Sequence, residues 1–289
     1  MNKYSRFSFR LAGITDEFAP DLETALPAME ECGLTGAELR TVNGKNIVDL
    51  SDAGIARVRE LVDAHGFEVV GIASPLLKCV LPGGPEIDGR FQQDVFGSAY
   101  GFDDQPRIAA RAMEVAGALG ARIIRVFSYW RTVEPGKCFD AAAEALEALA
   151  ANAAPHGLII ALENEHACNA GTASEAAALL NLVPHPNLRL LWDPANAHVA
   201  GERPFPEGYA ELPKDRIVNV HAKDCRLRGH TAEWCELGDG DIDWGGQLAA
   251  LKADNYAGWI SLETHWPGPA GNKLEASRIC AEKLARMAN

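Results

Sequence analysis

The 289-residue sequence predicts an α/β protein, a (β/α)8 barrel forming a single domain over 1–289. Three observations predict it. One phrase recurs along the chain: an amphipathic helix, a stop residue, then a short β-rich run. Several of these runs are apolar at successive positions, as parallel strands covered on both faces are. No GxGxxG or GxxxxGKS/T motif follows any run, which removes the usual reason for an open nucleotide-binding sheet. Eight regular units in a chain of this length favour closure into a barrel.

The first run is "FRLAGIT" (9–15) and the second "GAELR" (36–40). In "SDAGIARVRELVDAHG", Ser51 can cap a helix, Ile55, Val58 and Val62 share one face, and Gly66 suits the left-handed position after its end. "FEVVGIAS" (67–74) is the third run. In "QPRIAARAMEVAGALG", Ile108, Ala112, Val115 and Leu119 make the apolar stripe, and Gly120 stops the helix before "ARIIRVFS" (121–128). A helix over 139–153 stops near Gly157, ahead of "LIIALE" (158–163). The last three runs are "LRLLWD" (188–193), "RIVNVHAKD" (216–224) and "GWISLE" (258–263). Two stretches break the rhythm, 75–104 and 224–243. They are long, rich in Gly, Asp and aromatics, and expected to lack regular structure. Both come after a strand, so both are expected as insertions on the active-site face.

Composition narrows the class. The net charge is −13, which argues against nucleic acid as a partner. No apolar run approaches the ~20 residues that span a bilayer, and "MNKYSRFSFRLAG" lacks the apolar core of a signal peptide. Seven scattered cysteines without a CxxC suit reduced thiols. A cytoplasmic protein without a membrane partner is expected, and self-association into a homo-oligomer is compatible with it.

In a barrel of this kind the chemistry sits where the strands end. The polar residues fall there: Asp16 and Glu17, then Glu38 and Arg40, Ser74 and Lys78, Arg125, Glu163, Asp193, His221 with Lys223 and Asp224, and Glu263 with His265. Glu163, Asp193, His221 and Glu263 stand at four consecutive strand ends. Neighbouring strands lie ~4.8 Å apart, so four such side chains can converge. Three carboxylates left together would repel one another, and a divalent metal resolves the repulsion. Three oxygens and one nitrogen suit Mn²⁺ best, with Mg²⁺, Co²⁺ or Zn²⁺ also able to serve. Glu165 and His166 are expected as loop residues or supports of the ligands. His65, His156 and His185 suit helix ends or connections. His198, His230 and His265 are candidates to approach a substrate, and Phe127 and Trp266 to pack on a sugar face.

"ALEN", "LLWDPANA", "VNVHAKD", "LGDGDIDW" and "ISLETHW", in this order, resemble the xylose isomerase-like TIM-barrel superfamily, in particular its sugar phosphate isomerase/epimerase branch. The resemblance runs from "GITDEFAPDLETAL" to "ISLETHW". It implies one metal on Glu163, Asp193, His221 and Glu263. Ketose 3-epimerases of this superfamily place a His three residues after the Asp, a Glu six after the first Glu and an Arg six after the His. Here those positions are Asn196, Asn169 and Leu227, the last flanked by Arg226 and Arg228. The AP endonuclease branch uses further histidines near the third and fourth strands, and "VVGIASP" and "IIRVFSYW" contain none.

The expected chemistry is metal-assisted proton transfer next to the carbonyl of a small-molecule carbohydrate, a sugar or sugar-like polyol. It passes through an enediolate and gives an isomerase or epimerase. Glu163 and Glu263 would serve as ligands and as the catalytic bases. Arg40, Lys78, Arg125 and Lys223 would donate to hydroxyls, with Glu38, Asn196, His198 and Arg226 completing the substrate contacts. Two other readings use the same residues: a keto-sugar dehydratase or lyase resembling inosose dehydratase, and a carbohydrate-binding protein without turnover.

Overall fold

Eight strands carry the fold: β1 (Arg10–Ile14), β2 (Gly36–Leu39), β3 (Glu68–Leu76), β4 (Ile123–Val126), β5 (Ile159–Glu163), β6 (Leu188–Trp192), β7 (Ile217–Ala222) and β8 (Trp259–Leu262). The structure is a computed structural model that describes residues 8–91, 99–229 and 231–289. Each strand pairs in parallel with the next, and β8 pairs with β1 to close the barrel. The helices between them are α1 (Leu22–Glu31), α2 (Asp52–Ala64), α3 (Gln105–Leu119), α4 (Phe139–Ala153), α5 (Ala173–Leu182), α6 (Pro194–Val199), α7 (Trp244–Ala253) and α8 (Lys273–Met287).

Local signals set the helix limits. Ser51 Oγ accepts the Gly54 N–H at the start of α2, and Gly66 takes φ 68° beyond its end. Thr172 and Glu175 form a reciprocal capping box at α5. The helix after β6 is only six residues long. Gly201 at φ 97° and then Pro204 and Pro206 prevent it from continuing.

The barrel interior is built in layers. Ala12, Val70, Ile123, Ala161, Leu191 and Trp259 fill one end as an apolar plug. Gly36 leaves the space this needs: a Cβ there would lie 2.6 Å from the Trp259 ring and 2.7 Å from Val70. Along β2, β5, β7 and β8 every second residue belongs to the interior. A polar layer therefore succeeds the plug, where Asn219 Nδ2 donates to Glu38 Oε2 at 2.9 Å and Ser261 Oγ to Asn219 Oδ1 at 3.2 Å. One step further, Glu163, His221 and Glu263 emerge at the C-terminal mouth.

The 224–243 stretch is more regular than the sequence suggests. Asp224–Arg228 pairs antiparallel with Thr231–Cys235. The Asp224 carboxylate then gathers the loop over 238–242. It accepts the N–H groups of Gly238 (2.8 Å), Gly240 (3.2 Å) and Ile242 (3.2 Å). Part of the 75–104 stretch also has structure. Ile87 bridges to Thr132, and a single 3-10 turn, Phe102–Asp104, leads into α3. Residues 92–98 of that stretch, and His230, lie outside the described residues. All seven cysteines are free thiols. Among the described residues no helix is long and apolar enough to cross a membrane.

Candidate functional site

The four strand-end residues meet. Glu163, Asp193, His221 and Glu263 are all buried, and one ligand atom from each lies within 4.8 Å of the others. Different elements position each of them. Asp193 caps α6 through Oδ1, which accepts the Asn196 N–H at 2.8 Å, and this leaves Oδ2 facing the cluster. The Asn164 amide grips the Asp193 backbone at both ends, accepting its N–H at 2.7 Å and donating to its carbonyl at 2.8 Å. Glu38 holds His221 Nε2 at 3.2 Å, so His221 Nδ1 points at the acids. That is the arrangement of a metal-binding imidazole with a carboxylate behind it.

Glu263 Oε1 takes Arg40 Nη1 at 2.9 Å and its Oε2 takes Lys223 Nζ at 2.7 Å. Arg40 is saturated with acids, holding Asp16 at 2.8 Å and Glu17 at 2.5 Å as well. Lys223 also pairs with Asp193 Oδ2 at 2.8 Å. Arg125 approaches Glu163 Oε2 at 3.3 Å, and Lys78 approaches Glu165 at 3.4 Å.

The electrostatics favour a cation at the centre. Burial pushes the Asp193 carboxyl up to about 6 against the pull of Lys223, with Glu263 and Glu163 adding to the rise. Burial also works against ionised Glu263, but Lys223, His265 and His221 hold it well below the usual carboxylate range. For His221, burial disfavours the cation, yet Glu38, Glu163 and Glu263 hold its proton well above the usual imidazole range. A proton and a metal ion compete for the same field at Nδ1. Glu163 Oε2, Asp193 Oδ2 and His221 Nδ1 are buried and lack a well-formed hydrogen bond among the described residues. Around them six buried carboxylates, Glu17, Glu38, Glu163, Glu165, Asp193 and Glu263, face four buried cations, Arg40, Lys78, Arg125 and Lys223. Three carboxylates and an imidazole brought to one point are the donors that a divalent ion takes. The donor set therefore fits such an ion.

Residues 26–284 match the family described as xylose isomerase-like TIM barrel. The chain belongs to that family. An inosose dehydratase from Lactiplantibacillus plantarum is 30% identical over 142 residues, which are 44% of this chain and 47% of that protein. The chain thus spans about half the length of the curated relatives it matches. Among solved structures, the IolI protein with a bound zinc atom superposes with a TM-score of 0.71 at 19% identity, covering 97% of this chain and 95% of that one. An L-ribulose 3-epimerase gives 0.68 at 17% identity, covering 96% of each chain. At these identities the structural likeness speaks to the fold of this family member.

The other expected contacts divide into two groups. Arg40, Lys78, Arg125 and Lys223 line the cluster, and Asn196 donates Nδ2 to Glu163 Oε1 at 3.2 Å. Glu38 reaches His221 from below instead of opening to the mouth. His198 and Arg226 are drawn elsewhere: His198 Nε2 lies 3.5 Å from Asp241, and Arg226 donates to the Asp239 carbonyl. Phe127 is 1% exposed, with Lys78 4.5 Å and Arg125 4.7 Å from its ring centre. Trp266 is half-buried, and the His265 ring lies 5.0 Å from the Trp234 ring of the hairpin, tilted by 38°.

Asn169, where a ketose epimerase has Glu, is a buried tie between loops. It donates to the Ser128 and Trp130 carbonyls and accepts from Thr132. Leu227 lies on the hairpin, with its N–H on Asp241. The sequence marked Glu165 and His166 as loop residues or supports of the ligands but not their pairing with each other, and it did not mark the Asn164 grip. The only signal was the density of polar groups in "ENEH".

Proposed function

We propose that this family member is a divalent-metal-dependent enzyme that moves a proton at the carbon beside the carbonyl of a sugar-like polyol, by outcome an isomerase or epimerase. One observation carries the proposal: Glu163, Asp193, His221 and Glu263 converge, and Glu163 keeps a buried Oε2 without a hydrogen bond among the described residues. The metal would supply Lewis-acid stabilisation of the enediolate charge. Mn²⁺ suits the three oxygens and one nitrogen, and the zinc of the IolI structure supports a divalent ion of this class. Glu163 takes the carbon proton. Asn196 fixes its Oε1, which leaves Oε2 for that task. Glu263 holds the opposite side, where Lys223 Nζ, 2.7 Å from its Oε2, can pass it the proton that it returns. Each of the four buried cations already touches a carboxylate, so the site suits an uncharged substrate over a phosphorylated one. Seven free thiols are in keeping with work in the cytoplasm.

A second reading is loss of water from the same enolate. It is favoured by the similarity to inosose dehydratase over 142 residues. One experiment separates the outcomes. Ketoses and inososes are incubated with Mn²⁺-loaded protein in D₂O and followed by NMR. Deuterium at the reacting carbon is expected, with kcat lowered at least ~10²-fold in Glu163→Gln. Product without label would sink proton transfer and favour a hydride shift. Unsaturated product would decide for the dehydratase.

A further inference from the structure

Beyond the four converging residues, a second buried acid–imidazole pair stands at the mouth. His166 lies three residues past Glu163, and its side chain is 19% exposed. Its Nδ1 is 2.9 Å from Glu165 Oε1 and 2.9 Å from Asn196 Oδ1. Both partners are acceptors, so Nδ1 carries a hydrogen and shares it between them. Nε2 has no partner among the described residues and is not among the buried unsatisfied atoms. Asn196 is the hinge of the arrangement: its Oδ1 holds His166 while its Nδ2 holds Glu163. Lys78 lies 3.4 Å from Glu165 and keeps that carboxylate ionised, and Phe91 packs 6.0 Å from the imidazole. A carboxylate that fixes Nδ1–H and frees Nε2 is the build of an acid–base histidine. Burial disfavours the charged ring, but Glu165 beside it more than offsets this and raises its pKa above the ordinary value. A ring held in this way, with Nδ1–H fixed, offers Nε2 for proton transfer.

We infer that His166, oriented by Glu165 and Asn196, is the acid that protonates a hydroxyl leaving from the carbon next to the one Glu163 deprotonates. The inference rests on the second reading of the proposed function, loss of water, and names the acid that this reading needs. The balance is simple. Glu163 accepts the carbon proton. The C–H electron pair becomes the new C=C bond, the C–O bond breaks, and the proton on His166 Nε2 leaves with the oxygen as water. Solvent reprotonates His166 and takes the proton from Glu163. Glu165 and Asn196 are positioning residues in this scheme.

The test uses full-length Mn²⁺-loaded protein with an inosose in D₂O, and ¹⁵N-histidine NMR on the metal-free protein. In His166→Gln, exchange at the carbon should stay within ~3-fold of the unaltered protein while water loss falls at least ~10²-fold, the low end for a lost general acid. Imidazole added to His166→Ala should restore part of the water loss. The NMR should find the His166 ring with hydrogen on Nδ1, an arrangement lost in Glu165→Gln. Exchange and water loss falling together, or neither falling, would overturn the inference. So would a His166 ring without hydrogen on Nδ1, whatever the chemistry. No exchange in the unaltered protein with any ketose or inosose would instead defeat the proposed function, and the ring NMR would still decide the orientation of His166.

Discussion

Glu38 and Glu17 both stand outside the converging set, yet each fixes one of its neighbours. Glu38 holds His221 Nε2, and Asn219 in turn holds Glu38. Glu38→Gln leaves the shape and removes the charge. It should weaken metal binding ~10–100-fold by calorimetry, as loss of a supporting carboxylate does elsewhere. Arg226→Ala, whose guanidinium is tied to Asp239, should leave binding unchanged. Equal affinity in Glu38→Gln would show that His221 is oriented some other way. Glu17 is fully buried against Arg40. Burial works against its charge, but Arg40, His265 and Lys273 outweigh it and bring its pKa down from the ordinary 4.5 to about 2. A carboxylate whose pKa is lowered by folding adds stability above its unfolded pKa, and that stability fades as pH falls towards the folded one. Glu17→Gln should therefore melt at a lower temperature at pH 7, and the gap should close between about pH 4.5 and 2. A gap that stays constant over that range would rule out the ion pair as its source.

At the scale of elements, the hairpin after β7 depends on one side chain. Asp224 accepts four backbone N–H groups, from Cys225, Gly238, Gly240 and Ile242. Gly240 must be glycine, since a Cβ there would lie 2.0 Å from Asp224 Oδ1. Through this loop the hairpin holds Trp234 at 5.4 Å from Lys223 and 5.0 Å from His265. Asp224→Asn keeps one acceptor oxygen and turns the other into a donor. Hydrogen exchange at Gly238 and Gly240 should then speed up ~10-fold or more, the equivalent of a hydrogen bond to a charged group. Protection unchanged at both amides would mean that the loop is held by its other contacts.

Over the whole molecule, the carboxylates gathered at the mouth link metal to stability. Glu163, Asp193 and Glu263 lie close enough to repel one another, and a divalent ion would remove that repulsion. Any ligand that binds only the folded chain stabilises it by mass action, ~2.7 kcal/mol at a hundredfold excess over Kd. Chelation should therefore lower Tm, and Mn²⁺ should restore it. In Asp193→Ala both effects should vanish. A Tm indifferent to chelator and to Mn²⁺ in the unaltered protein would argue against a bound metal.

The sequence by itself determined the barrel and the convergence. Helix stops such as Gly66 and Gly120, eight β-rich runs and the spacing from Glu163 to Asp193 to His221 are local signals, and a closed parallel sheet brings strand ends together once the strands are assigned. Only the tertiary structure decided what each polar group touches. Arg40 and Glu263 are 223 residues apart, and Glu38 and His221 are 183 apart. Their pairing comes from β2, β7 and β8 facing a common interior, which no window of sequence contains. The same holds for Asn169 as a loop tie, for the hairpin in place of an irregular loop, and for His166. Its ring direction is set by Asn196 in the helix after the next strand, 30 residues away. Local periodicity is written along the chain, whereas hydrogen-bond partners are chosen by groups that meet only after the barrel closes.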